Sequence, residues 1–326
     1  MAIEFLTIGA MLVEIMRTEL DVPLSKPGAL VGPFPSGGSA IFIDGAARLG
    51  NSCAMISVVG QDEFGECLLN RFRTDGIDLS MVRVDPTKTT STAFVSYFSD
   101  GSRKFIYHVK DAASSGIGPD DVKPELIQDL KWFHLSSNVI TGKASIREAV
   151  WKVIGNLPSQ ARISLDPNIR AELKADPAAK ADLDKVVHLA SVIFPSEGEA
   201  MALTGDCDDD QACRNLASSG KLVVCKMGKQ GCRIYDGEIV QTVDSFVVDE
   251  IDPTGAGDSF AAGFLTGMEL GLNLHQCGVF ANAVGALAVT KKGPMEGAPY
   301  LKDVLHLVKQ QTGVDLQIRL PHKQEP

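Results

Sequence analysis

Short apolar runs with strand character alternate with stretches of helical period along most of this chain, and that alternation restricts the fold more than any other feature. The runs are IEFLTIG at 3–9, CAMISVVG at 53–60, WFHLSS at 132–137, RISLDP at 162–167, SVIFPS at 191–196 and KLVVCKMG at 221–228. Between them lie a Gly-rich loop opening a helix at 37–50, the amphipathic FGECLLNRFRTDG at 64–76, and helical stretches over about 144–156 and 178–190. Apolar strands interleaved with helices must be covered on both faces. The pattern therefore predicts an α/β fold on a mostly parallel central sheet, with ligands gathered at the carboxyl ends of its strands.

Two segments break the alternation. Residues 12–35 are rich in Pro and Gly without helical period, and STAFVSYFSDGSRKFIYHVK at 91–110 reads as a hairpin turning at Asp100 and Gly101. Together they predict a small β lid. No internal repeat, low-complexity tract or long linker divides residues 1–326, so a single domain carrying this lid is expected.

Composition narrows the function classes. The formal net charge is −10, and no cluster of Lys and Arg offers a surface for a phosphate backbone, which argues against nucleic-acid binding. No uncharged apolar run reaches the roughly 18 to 20 residues of a membrane span. The cysteines number seven, an odd count with no CxxC pair, as expected of reduced thiols in a cytoplasmic protein. A dinucleotide-dependent oxidoreductase would carry G-x-G-x-x-G after its first strand, and TIGAMLVEI lacks it.

The stretch DPTGAGDSFAAGF at 252–264 carries the chemistry. An extended reading before it (DSFVVDEI) and a helical one after it put the glycines at a helix N-terminus, where unpaired N–H groups and the dipole favour an anion. Gly or Ala at 255–257 lets a phosphoryl group approach the backbone. A carboxylate next to such a cradle, Asp258, suits a base that takes the proton from an attacking hydroxyl. The plainer reading is a capped helix packed on a sheet, with Asp258 as its cap.

DPTGAGDSFAAGF resembles the C-terminal signature of the ribokinase-like (PfkB) carbohydrate kinases. The blocks VVGQDEFG (58–65), DGIDLSMV (75–82), SLDPNIR (164–170), FPSEGEAMALTG (194–205), KMGKQGCRIY (226–235) and ANAVGALAVTKKG (281–293), with the Gly-Gly and ARLG region at 37–50, follow in that family's order. The resemblance implies a ribokinase-like three-layer α/β/α fold with a small β-sheet lid. It further implies an ATP-dependent kinase that transfers the γ-phosphoryl group to a sugar hydroxyl and needs Mg2+.

By the same resemblance, Asp258 is the general base and the amides of Gly255, Ala256 and Gly257 form the anion hole. Ser196, Lys226, Gly228 and Asn282 fall at nucleotide positions, and Glu199 at the acid that organises magnesium through water. Ser196 departs from the family pattern, which has Asn there. Asp252, Thr254, Ala288, Gly293 and Gly297 match a monovalent-cation site, implying potassium. Glu14, Gly37, Gly38 and Ser39 match the sugar site, with Arg103 of the lid and Arg170 as polar contacts. The Asn expected shortly after the Gly-Gly pair is missing, Ile41 and Phe42 standing in that region, so that sugar contact is either absent or supplied elsewhere, for instance by Asp44. The block pattern is most similar to kinases of ketohexoses such as fructose or tagatose, with 2-keto-3-deoxygluconate kinase as the alternative and a non-catalytic sugar or nucleotide sensor as a further one. A homodimer through the lid edges is expected from the exposure of its strands.

Overall fold

The computed structural model describes residues 2–169 and 176–318. The chain starts a sheet with β1 (Phe5–Ile8), crosses into a second sheet with β2 (Leu12–Arg17) and β3 (Leu30–Ser36), and returns through α1 (Gly38–Arg48) to β4 (Cys53–Gly60), α2 (Glu63–Thr74) and β5 (Val82–Asp85). It re-enters the second sheet with β6 (Ser91–Tyr97) and β7 (Arg103–His108), then runs through β8 (Trp132–Ser136), α3 (Ser137–Ile140), α4 (Ala144–Ile154) and β9 (Arg162–Asp166). There follow α5 (Pro177–Leu189), β10 (Val192–Ile193), α6 (Glu199–Thr204), α7 (Asp209–Ser218), β11 (Leu222–Lys226), β12 (Cys232–Asp236) and β13 (Ile239–Val243). The last helices are α8 (Ala256–Glu269), α9 (Leu274–Ala288) and α10 (Leu301–Thr312).

The larger sheet has nine strands in the order β13-β12-β11-β10-β9-β8-β1-β4-β5. Its strands from β5 to β11 are parallel, and β12 and β13 close one edge as antiparallel neighbours. Two apolar cores cover the two faces. One holds Phe42, Phe194, Phe264 and Phe280 from the side of α1, α8 and α9, and the other holds Ile8, Phe133, Leu165 and Val186 from the side of α4, α5 and α7. This is the three-layer α/β/α arrangement with its strand ends pointing one way.

The second sheet has the order β3-β2-β6-β7 and stands over those strand ends. Its 98–102 turn is closed by the Gly101 amide donating to Phe98, with φ +81° at Gly101, which favours glycine. The lid is therefore built as the sequence predicts, from two separate segments. The parallel pairing of β2 with β6 joins them.

The small residues that continue past Asp258 have a packing role. A Cβ at Gly263 would lie 2.9 Å from Val284 Cγ2, so α8 and α9 approach to a distance that only hydrogen allows. The extended segment at 244–251 joins neither sheet as a strand. β13 is the edge of the sheet, so the chain leaving it finds no partner strand, and Val247 is 86% exposed.

Candidate active site

The N-terminus of α8 is capped by Gly255 at φ +84°, where a Cβ would stand 2.7 Å from the Pro294 carbonyl oxygen. At this end the Ser259 amide donates to the Gly255 carbonyl at 2.9 Å. The amides before it lie outside the helix's own ladder and face outward, as at any helix start. Asp258 belongs to the first turn and is not the cap. Its Oδ1 lies over Gly38, 3.0 Å from where a Cβ there would be, so the two glycine-rich helix starts, α1 and α8, meet at this carboxylate.

A cavity of about 870 Å3 opens on that point. Gly255, Ala256, Gly257, Asp258, Glu14, Gly37, Gly38, Ser39, Arg103 and Thr254 all line it. The structure thus brings together the residues matched to the anion hole and most of those matched to the sugar site. Gly37 is required by its backbone: at φ +110° a Cβ would run into the Ala10 carbonyl oxygen. Ser39 spends its hydroxyl on the Ile8 carbonyl (3.0 Å) and braces the loop. Arg103 reaches down from β7 and donates to the Thr254 hydroxyl at 2.8 Å. Arg170 lies outside the described residues.

Glu14 is 4% exposed at the base of the lid. Its Oε1 accepts from the Ser36 hydroxyl at 2.6 Å, whereas Oε2 has no partner and belongs to a side chain lining the cavity. Burial is the main cause that pushes its carboxyl up to about 7, with the Asp252 charge adding and Ser36 and Arg103 opposing. A carboxyl raised in the fold favours the native state while protonated, so wild-type stability should fall as pH rises through about 7. Glu14→Gln removes the titration. The melting temperature of this variant minus that of wild type should grow from about pH 5 to about pH 8, and a constant difference would refute the shift.

Asp44 does not replace the missing Asn. Its side chain is fully buried away from the cavity, bound by Arg71 through Nε (3.0 Å) and Nη2 (2.8 Å). The reason is helical phase: Ile41 lines the cavity, Phe42 stacks on His134 at 3.8 Å, and three residues after Ile41 the α1 chain meets α2.

On the other side of Gly257 lies an ionic cluster. The Lys226 ammonium, at the end of β11, is 3.3 Å from a Cβ placed on Gly257 and 2.5 Å from Asp166 Oδ2 at the end of β9. Burial works against its charge, but Asp166, then Glu199 and Asp258, outweigh it and hold the lysine above its usual range. Glu199 accepts from the Ser196 amide (2.7 Å) and the Ile169 amide (3.0 Å), joining the loops after β10 and β9; burial first and Asp166 second push it up. Gly228 follows in the turn to β12 at φ +55°. Asn282 is buried on α9, its amide donating to the carbonyls of Val243 (3.1 Å) and Asp244 (3.0 Å).

Three carboxylates share one ammonium in this cluster, an excess of negative charge that a divalent cation fits. Among the described residues no three acidic, His or Cys side chains converge closely enough to ligate it directly. Glu199, the acid matched to magnesium, belongs to this cluster.

Of the five residues matched to a monovalent-cation site, Asp252, Thr254 and Gly293 are joined by hydrogen bonds, and Gly297 packs on Ala288. Asp252, 2% exposed, accepts from the Thr254 amide (3.0 Å), the Gly293 amide (3.1 Å) and the Tyr97 hydroxyl (3.2 Å). Gly297 packs on the Ala288 carbonyl so closely that a Cβ would collide with it.

The sequence reading left several cavity residues unassigned: Phe105 and Tyr107 of β7, Lys110, Asn138, Lys143 and Asn168. Asp166 of the ionic cluster was also unassigned. Asp166 and Asn168 sit in the SLDPNIR block, so a signal existed. The others come from β7, from α3 and from the loops holding Lys110 and Lys143, none of them in a family block, and their shared cavity is visible only in three dimensions.

Comparison with known proteins agrees with this geometry. The model of the "pfkB family carbohydrate kinase" matches residues 7–300. The "Probable fructokinase-2" of Arabidopsis thaliana is 33% identical, over 92% of this chain and 94% of its own length. A structure from E. coli, described as a candidate Ribokinase II in complex with ATP and Mg2+, is 36% identical, covers 94% of this chain and 99% of its own, and superposes with a TM-score of 0.90. The fructokinase of Vibrio cholerae O395, in its fructose, ADP and calcium ion bound form, is 25% identical over 94% and 99% of the two chains, with a TM-score of 0.78. With the family's motifs in order, its three-layer fold, and a family model that matches residues 7–300, the chain belongs to the pfkB family of carbohydrate kinases.

Proposed function

We propose that the protein phosphorylates a ketohexose of the fructose type with ATP. One observation carries the reading: Asp258 lies between the amides of the α8 N-terminus and the Gly38 backbone, at the wall of a cavity large enough for a sugar and a phosphoryl group. The fructokinases among its relatives support the ketohexose.

In the mechanism, a sugar hydroxyl held over Gly37 and Gly38 gives its proton to Asp258 as its oxygen attacks the γ-phosphorus of ATP in line, while the bond to the β,γ-bridging oxygen breaks and ADP leaves with its electron pair. The amides of Gly255, Ala256 and Gly257 stabilise the charge that develops on the phosphoryl oxygens. Glu14, with Oε2 unpartnered, takes a sugar hydroxyl, and Arg103 closes the lid side. Lys226 and Ser196 hold the nucleotide's phosphates, and Gly228 and Asn282 shape the wall beyond them. Glu199 would hold magnesium through water, and the ion would supply charge neutralisation at the phosphates. Potassium in the Asp252, Thr254, Ala288, Gly293 and Gly297 loop would steady the anion hole from behind. The reading includes one kinase domain, a cytoplasmic location, supported by seven free cysteines, and a dimer through the lid, supported by the edge position of β7 and its exposed Ile106. Among the described residues no helix is long and apolar enough to cross a membrane.

A coupled ADP-release assay tests the reading across fructose, tagatose, ribose and 2-keto-3-deoxygluconate, with ATP and magnesium, in potassium and in sodium alone. Turnover on a ketohexose, faster in potassium, is expected. Turnover on the keto acid alone would replace the substrate, and equal rates in both salts would remove the potassium.

A further inference from the structure

We infer that Asp166 is a positioning residue for phosphoryl transfer: it holds the Lys226 ammonium against the anion hole until an incoming phosphoryl group takes over that ammonium. The inference rests on the kinase reading of the site. It adds a role for a residue that touches no substrate.

The two residues sit at the carboxyl ends of β9 and β11, with β10 between them, so their side chains meet over the end of a two-residue strand. The contact is 2.5 Å, with side-chain exposures of 11% for Lys226 and 5% for Asp166. A buried ion pair is a poor device for stability, because the cost of desolvating both charges offsets their attraction. Its place at the ligand-facing strand ends calls for another reason, and Gly257 supplies it. The ammonium lies 3.3 Å from where a Cβ on Gly257 would be, so a hydrogen at that position is what lets the lysine stand beside the anion-hole amides.

Asp166 is itself fixed. Its Oδ1 accepts from the Asn168 amide at 3.2 Å, which leaves Oδ2 to the lysine. A free lysine has many rotamers, and ordering it only when nucleotide arrives would slow the approach to the transition state. Pairing with Asp166 orders it beforehand. The handover moves no proton and breaks no covalent bond: one carboxylate oxygen is exchanged for a phosphoryl oxygen on the same ammonium.

The test is a double-mutant cycle in the full chain, with kcat and KM for ATP and for the sugar, and with thermal melting of each variant. Asp166→Asn should lower kcat by about 100-fold, the scale of an ångström-sized misplacement, with the sugar KM little changed. Lys226→Met should lose at least as much, and the double variant should match Lys226→Met alone. Lys226→Arg should recover part of the rate with Asp166 present and none with Asn at 166. Losses that multiply in the double variant, or a wild-type kcat in Asp166→Asn, would overturn the inference. Asp166→Asn leaves a buried lysine unpaired and can fail to fold. In that case Lys226→Met against the double variant, neither of which holds a lone charge of this pair on lysine, decides: equal rates support positioning, and a slower double variant overturns it. A wild type inactive on every sugar strikes the kinase reading and takes the inference with it, whereas an active wild type with multiplying losses strikes the inference alone.

Discussion

Asp258→Asn is expected to lower kcat by about 100- to 10,000-fold, the range that a positioned general base contributes, while KM for ATP and sugar changes little. The substitution keeps the shape of the side chain over Gly38 and its place in the first turn of α8. It removes the ability to take a proton, together with one of the charges that act on Lys226. Initial-rate ADP release at saturating substrates is the measurement, with melting to show that the fold is kept. A variant retaining more than about a tenth of wild-type kcat would mean that another group accepts the proton and that Asp258 serves the helix terminus instead.

Arg71→Met is expected to cost about 3–5 kcal/mol of stability, because it strands buried carboxylates without their cation. Arg71 joins Asp44 at 2.8 Å and Asp75 at 2.6 Å, both with side chains at 0% exposure, and Arg48 reaches Asp75 at 3.1 Å. Removing one guanidinium leaves two buried acids to one cation. Arg71 also donates to the Met295 carbonyl at 2.8 Å and Arg48 to the Ala298 carbonyl at 2.7 Å, so the network anchors the 293–298 loop behind the anion hole. Urea unfolding at neutral pH checks the size of the loss. A shift of the midpoint worth less than about 1 kcal/mol would place the network among ion pairs of surface strength.

Much of the fold was legible because its periodicities are local. A strand covered on both faces must be apolar along its length, and a helix between two such strands must carry one apolar stripe; each can be read within a dozen residues. The proposed anion hole was legible for a similar reason, since Gly255 to Gly257 are consecutive in the chain and the role rests on their backbone amides. Lys226 and Glu199 were legible as matches to a family pattern. What they touch was not.

Asp44 shows the limit most clearly. From its position near the Gly-Gly pair it looked free to meet a sugar hydroxyl, but the phase of α1 turns it toward Arg71, a residue 27 positions away in the chain. Asp166 shows the converse, as its partner lies 60 positions away and is reached over the end of β10. The two lid segments could be read as β structure, yet their union depends on a parallel register between Leu12–Met16 and Ser91–Val95. By itself the sequence determined the layered α/β fold and the glycine-rich helix start with its acid, which we propose as phosphoryl cradle and base, because these depend on period and on neighbours along the chain. Only the tertiary structure decided which carboxylates face substrate and which hold buried arginines or the lysine, because a side chain's partner and its burial are set by how distant strand ends and helix faces meet.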